Sequence, residues 1–293
     1  MSLARRTVLR LAAMQALAGP ARSDPGAAQP AASVPLDLSS GPCVVGVLIE
    51  GRPARLVLDT GAERTILTRA AVARHGLRLD EWVGTALRGA GGQIDEHQNA
   101  VVGSVTLGGT TLYGRDARAP LSLPVTALDL GGLDGLLGGD LLRRHTLDVD
   151  LAAHTLTLRD PATAMPAASV TLAMLRGVLP LAPVELDGHK LTALVDTGAG
   201  VSLVNARGLF RLGLDARGLQ ADPTVSSLGI GGAFAARRHV FRSLRLGPLR
   251  RDRPGLLTLA RPEPAFDMVL GLDLLAGQRM LLSYGKAFLK LSA

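Results

Sequence analysis

Residues Ile49 to Leu77 read IEGRPARLVLDTGAERTILTRAAVARHGL, and residues Leu186 to Leu214 read LDGHKLTALVDTGAGVSLVNARGLFRLGL. The two stretches are one pattern written twice, offset by 137 positions (196 − 59 = 137). Each holds an apolar run that ends on Asp-Thr-Gly-Ala: Leu56-Val57-Leu58 before Asp59, and Ala193-Leu194-Val195 before Asp196. Glu50-Gly51 and Asp187-Gly188 are the turn residues of tight hairpins between two apolar strands. Thr68 and Asn205 are helix N-cap types, and Gly76 and Gly213 fall where each helix should stop. Each copy therefore predicts a hairpin, an Asp-bearing loop, a short strand and a short helix.

The match continues outward. Gly89-Ala90-Gly91-Gly92 corresponds to Gly229-Ile230-Gly231-Gly232, and Leu136-Leu137-Gly138-Gly139-Asp140-Leu141-Leu142 to Val269-Leu270-Gly271-Leu272-Asp273-Leu274-Leu275. Two copies of this length are not a solenoid. They predict two equivalent lobes packed as a pseudo-dimer, with a site on the pseudo-two-fold axis. The expected organisation is a leader over 1–33, a first lobe over 34–160, a proline- and alanine-rich linker over 161–170 and a second lobe over 171–293. Many glycines (35 of 293) among short apolar runs point to a mainly β fold with one or two short helices per lobe. The lobes are expected to be closed or partly closed barrels.

Composition removes several alternatives. Hydrophobic residues make up 47% and charged residues 19%, so the chain has a large core and is not mainly disordered. No run approaches eighteen uncharged apolar residues, so no stable membrane span is expected. The net charge is +7, nearly all from arginine, and three of those residues (Arg5, Arg6, Arg10) lie in the first ten positions. The remainder reads as scattered, and with eight aromatics in all there is no nucleic-acid surface to argue for. The single Cys43 makes no internal disulfide, and the six histidines lack metal-ligand spacing. The reading calls for no metal and no cofactor.

The N-terminus, MSLARRTVLRLAAMQALA, carries twin arginines, a short apolar stretch and a small-x-small site at Ala16-Leu17-Ala18. It resembles a bacterial twin-arginine export signal, which places the mature protein in the periplasm or outside the cell. The opposing interpretation is a cytosolic protein with an amphipathic start.

An acid at the end of a buried strand needs a reason. If the lobes pack about a two-fold axis, the loops at Asp59 and Asp196 meet there. Two carboxylates about 3 Å apart cannot both ionise and share one proton, a general property of such pairs. The ionised member can take a proton from water while the other donates to a peptide carbonyl. The alternative is a structural turn in which Asp and Thr satisfy only their own backbone.

At these residues the chain resembles the pepsin/retropepsin clan of aspartic proteases. LVLDTGAERTIL (56–67) is similar to the active-site strand of retroviral proteases, and VLGLDLL (269–275) to the apolar-apolar-Gly motif that supports the catalytic loop in that family. The resemblance covers about residues 40 to 290. It implies a two-lobed β fold with a cleft, Asp59 and Asp196 as the dyad, and Thr60-Gly61 and Thr197-Gly198 as loop supports, the threonines bonding across the lobes. It also implies a peptide or protein substrate and, with both aspartates on one chain, an active monomer. Ala62 and Ala199 stand where pepsins carry Ser or Thr, and neither Tyr113 nor Tyr284 lies near the glycine-rich segments where pepsins have a flap tyrosine. Both departures point to the retropepsin side.

Gly91, Gly92, Gly231 and Gly232 are flap candidates, with an ordinary hairpin turn as the equal alternative. Asp140 and Asp273 read as helix N-caps. Glu63 and Arg64 are either a cleft-lining pair or a solvated loop, and Trp82 reads as core. The leading function is an exported aspartic endopeptidase. The alternatives are a catalytically silent peptide-binding protein on the same fold and a narrow-specificity processing protease.

Overall fold

The computed structural model describes residues 33–39, 41–84, 87–89, 92–94, 97–114, 116–215, 217–229, 232–261 and 265–292, with the backbone alone for 81–84, 87–89, 92–94, 97 and 228. The N-terminal segment expected to be an export signal, Ala90-Gly91, Ile230-Gly231 and the side chain of Trp82 therefore lie outside the described residues.

Alternation builds the first hairpin. In Val44–Ile49 the inward Val45, Val47 and Ile49 are buried, and Arg52–Leu58 returns with Ala54, Leu56 and Leu58 buried. Glu50 and Gly51 take positive φ (50° and 77°), and Asp187 and Gly188 repeat this (52° and 85°) between Leu179–Leu186 and His189–Val195. Two consecutive positive φ values turn a chain with the twist of the flanking strands. Thr68 caps α1 (Arg69–His75) by accepting from the Ala71 N–H, and Gly76 ends it at φ 64°. Asn205 caps α3 (Ala206–Arg211) through the Arg207 and Gly208 N–H groups.

The two halves have one strand order. In the first, Val44–Ile49, Arg52–Leu58, Gly135–Leu137, Ile66–Thr68, Leu121–Thr126, His97–Val102 and Arg78–Gly84 are successive neighbours. In the second the order is Leu179–Leu186, His189–Val195, Met268–Leu270, Leu203–Asn205, Gly255–Leu259, Gly232–Val240 and Thr224–Gly229. In both, the short third strand runs parallel to the strand before Asp-Thr-Gly-Ala and antiparallel to the one after it: Leu136 pairs with Val57 and Ile66, and Val269 with Leu194 and Leu203. These orders are open paths rather than rings, so among the described residues neither sheet is a closed barrel.

A further set of strands joins the halves. Thr146–Asp150 pairs antiparallel with Arg279–Ser283, Asp148 facing Leu281. Those two residues are themselves repeat equivalents, 133 apart like the Leu-Leu-Gly and Val-Leu-Gly motifs, so the pseudo-two-fold axis passes between them. One continuous apolar cluster, including Leu58, Leu137, Leu147, Val195, Leu270 and Met280, runs through both halves. Among the described residues no helix is long and apolar enough to cross a membrane.

Candidate active site

Each Asp-Thr-Gly-Ala loop is held from below by the short strand beside it. The Asp59 N–H donates to the Leu137 carbonyl and the Asp196 N–H to the Leu270 carbonyl, both at 3.0 Å. The Gly139 N–H closes on the Ala62 carbonyl and the Leu272 N–H on the Ala199 carbonyl, both at 2.8 Å. The strand thus hands its last carbonyl to the aspartate, and the next turn grips the far side of the loop.

Thr60 and Thr197 are fully buried and bond across the axis. Thr60 Oγ1 donates to the Val195 carbonyl at 2.7 Å, and Thr197 Oγ1 donates to the Leu58 carbonyl at 2.6 Å. Each Oγ1 also accepts the other threonine's N–H at 3.1 Å. Every donor and acceptor in this ring has a partner, which is the condition for a buried polar network to rigidify its surroundings.

The two aspartates meet above that ring. Their carboxyl groups are in hydrogen-bond contact. The glycines permit the approach. A Cβ on Gly61 would lie 2.3 Å from Asp196 Cγ, and one on Gly198 would lie 2.4 Å from Asp59 Cγ. Asp59 Oδ1 accepts the Gly61 N–H at 2.9 Å, and Asp196 Oδ1 accepts those of Gly198 and Ala199 at 2.8 and 3.1 Å. Protein surrounds both carboxyls, yet both residues keep part of their surface open to solvent. Burial raises the pKa of each, and at Asp59 the neighbouring Asp196 adds to the rise against the lowering by loop amides. Such a pair can share one proton between two carboxyls, and both residues remain in reach of solvent.

Of the expected site residues, the structure brings Asp59, Thr60 and Gly61 together with Asp196, Thr197 and Gly198. Gly92 and Gly232 instead open the returning strands of two hairpins, opposite Gly89 and Gly229, and among the described residues they share none of the site's hydrogen bonds. Glu63 and Arg64 do not pair with each other. Glu63 meets Arg176 of the second half at 2.7 Å, and Arg64 donates to the Ser122 carbonyl at 2.6 Å.

Asp140 and Asp273 are not N-caps. The caps of α2 (Gly139–Leu142) and α4 (Leu272–Leu275) are Gly138 and Gly271, without a side-chain bond. Asp140 Oδ1 instead accepts from the N–H and hydroxyl of Thr65 (2.8 and 2.7 Å), and Asp273 Oδ1 from those of Ser202 (2.9 and 2.5 Å). The same hydroxyls accept the Gly138 and Gly271 N–H groups. Sequence reading missed Thr65 and Ser202, and also Asp134 and Asp267. These last two accept the Arg55 and Thr192 N–H groups and pair with arginines of α1 and α3. The available signal was their recurrence at equivalent positions of the repeat. Tyr284 is buried near the site, and burial first, then Asp59, Asp140 and Asp196, push its phenol pKa up.

Among the described residues no group of three or more His, Cys, Asp or Glu is placed to hold a metal. The family model described as aspartyl protease matches this chain twice, over residues 45–141 and 182–274. Among curated proteins, Protein DDI1 homolog 2 of Xenopus laevis and Protein DDI1 homolog 1 of Homo sapiens are each 31% identical over 113 residues, 38% of this chain. The chain spans about a quarter (26%) of the length of those relatives. The aspartic proteinase from Irpex lacteus superposes with a TM-score of 0.55 at 13% identity, covering 90% of this chain and 97% of that one, a likeness of fold. With the family pattern matched in both halves around the two Asp-Thr-Gly-Ala loops, the chain belongs to the aspartyl protease family.

Proposed function

We propose that this protein is an aspartic endopeptidase that hydrolyses peptide bonds in extended polypeptides, with Asp59 and Asp196 as its catalytic pair. The observation that carries this reading is the contact between the two carboxyls, each in reach of solvent and each raised in pKa. One carboxylate takes a proton from water as the water oxygen attacks the scissile carbonyl carbon, and the protonated partner gives its proton to the carbonyl oxygen. The tetrahedral diol then collapses. Its C–N bond breaks, the amine nitrogen leaves with a proton from the dyad, and the diol's proton returns to the pair. Thr60 and Thr197 tie the two aspartate loops to each other through both steps, so little reorganisation is needed at the moment of reaction.

The hairpins that carry Gly92 and Gly232 would offer backbone groups to an extended substrate. Both aspartates come from one chain, so the reading makes the monomer the active species. Export through the leader would bring it to peptides outside the cytoplasm.

The test is cleavage of a peptide library by the purified protein, with and without a statine-type inhibitor that mimics the tetrahedral diol. Inhibitor-sensitive cleavage, lost in Asp59→Asn and Asp196→Asn, is expected. Peptides bound but left intact by the native protein would make it a binding protein on this fold.

A further inference from the structure

The internal duplication supplies a control for the matched strands, because paired positions in the two halves lie under the same fold constraints. On the outer face of the second half, one row of side chains crosses four strands. Lys190 pairs with Glu185, Glu185 with Arg245, and Arg245 with Arg250. The corresponding pairings in the first half join Pro53, Leu48, Thr106 and Thr111. That row carries no charge, and Leu48 is 42% exposed in the place of Glu185. The fold therefore does not require a charged row here.

One pairing within the row is also unfavourable by itself. Arg245 and Arg250 are exposed and stand directly opposite one another, and like charges so placed repel. Glu185 offsets one of them weakly, at 3.5 Å from Arg245. The Arg250 guanidinium donates to the Gly247 and Leu249 carbonyls, which carry no charge to offset its own. Arg242, 82% exposed, lies beyond the row and pairs with Asp187 at 3.6 Å, so it adds no unopposed charge.

We propose that this row is a docking site for an acidic segment of a polypeptide substrate, set apart from the cleft. The inference rests on the hydrolytic reading for its occupant. A carboxylate reached by both Arg245 and Arg250 offsets their repulsion and takes charge-assisted hydrogen bonds from each. The row itself has a net charge of only +2 (three cations, one anion), too little for an anionic bilayer to hold by summed charge at roughly 1 kcal/mol per cation, so short-range recognition of discrete carboxylates fits better. Lys190 and Asp196 belong to one extended run, six residues apart, or about 20 Å at 3.3 Å per residue. The acidic segment would thus lie at least about six residues from the scissile bond.

The test uses two substrates that share one cleavable sequence, joined by a Gly/Ser linker to a tail of six Glu or six Gln. In 50 mM salt the native protein should process the Glu-tailed substrate about fivefold better in kcat/KM, through KM. The R245T/R250T variant installs the first half's residues, and threonine suits a strand. It should lower that ratio to about one and leave cleavage of the Gln-tailed substrate unchanged. Equal processing of both tails by the native protein, or an unchanged ratio in the variant, overturns the proposal. Fluorescence anisotropy of a labelled six-Glu peptide separates the two readings. Binding that R245T/R250T abolishes, without cleavage of any substrate, keeps the docking site and removes the hydrolytic reading. Binding to 3:1 phosphatidylcholine–phosphatidylglycerol vesicles but not to the peptide assigns the row to a lipid surface and overturns the proposal.

Discussion

Asp59 and Asp196 are residues the fold would be more stable without. Burial raises both pKa values, and the neighbouring carboxyl raises that of Asp59 further. An acid with a raised folded-state pKa binds more protons folded than unfolded over the interval between the two values. Its contribution to stability is full below the ordinary value of 3.8 and is lost as pH rises through the folded value. Asp196→Asn keeps an acceptor for the Gly198 N–H and removes one of the two buried acids. Calorimetry should therefore show its Tm above that of the native protein by roughly 2–4 °C at pH 7, with the gap closing below pH 3.8. The same substitution should lower kcat by about 10²–10⁴-fold. An identical Tm at both pH values would mean that the pair carries no strain. A second prediction concerns Ala62 and Ala199. A hydroxyl there would donate to the ionised form of the carboxylates and lower their pKa. Ala62→Ser with Ala199→Ser should move the bell-shaped profile of kcat/KM toward acid, from a native optimum between moderately acidic and neutral pH. A native optimum as acidic as that of a gastric enzyme would contradict this account.

At the scale of elements, the short third strand and the turn after it make the aspartate loop rigid. Gly138 has no room for a side chain, since a Cβ would sit 2.5 Å from the Arg64 backbone, and this closeness lets Thr65 and Asp140 lock the turn to the loop. Asp140→Ala would leave the Thr65 N–H and hydroxyl and the Leu141 N–H without their acceptor. Urea unfolding should report a loss of about 1–3 kcal/mol. If Asp140 acted only on its own helix, the variant would keep its kcat. The bonds to Thr65 instead predict a lower kcat as well, since the residues after Asp59 lose their anchor.

At the scale of the molecule, the halves are tied at Asp148 on the pseudo-two-fold axis. Its carboxylate takes two bonds from Arg279 of the second half at 2.8 Å and one from Arg159 at 2.7 Å. Burial opposes ionisation there, yet these arginines hold the pKa below its ordinary value. The sign is opposite to that of the dyad. The contribution is present above the unfolded value of 3.8 and is lost as pH falls through the lowered folded value. Asp148→Asn should thus lower Tm at pH 6, and the difference should shrink as the native protein is taken below pH 3.8. A pH-independent difference would assign the effect to packing. Because one chain supplies both aspartates, specific activity should stay constant on dilution. A steep fall that tracks dissociation in sedimentation would show that the site needs a second copy.

The hairpin turns, the caps at Thr68 and Asn205, the duplication and the two Asp-Thr-Gly-Ala loops were legible from the sequence alone. The turns, caps and loops each depend on residues within a few positions of one another, and the repeat states each of them twice. Asp140 was misread for the same reason. Its local context is that of a capping residue, and its partner Thr65 lies 75 positions away. The charged row from Lys190 to Arg250 was read as scattered because only strand register places those residues side by side. The chain by itself determined which groups the site contains and which turns present them. Tertiary structure decided their contact: two loops 137 residues apart are brought together by the pairing of Thr146–Asp150 with Arg279–Ser283. Glycines without a Cβ then let the carboxyls close to hydrogen-bond distance, where burial and mutual repulsion set their protonation.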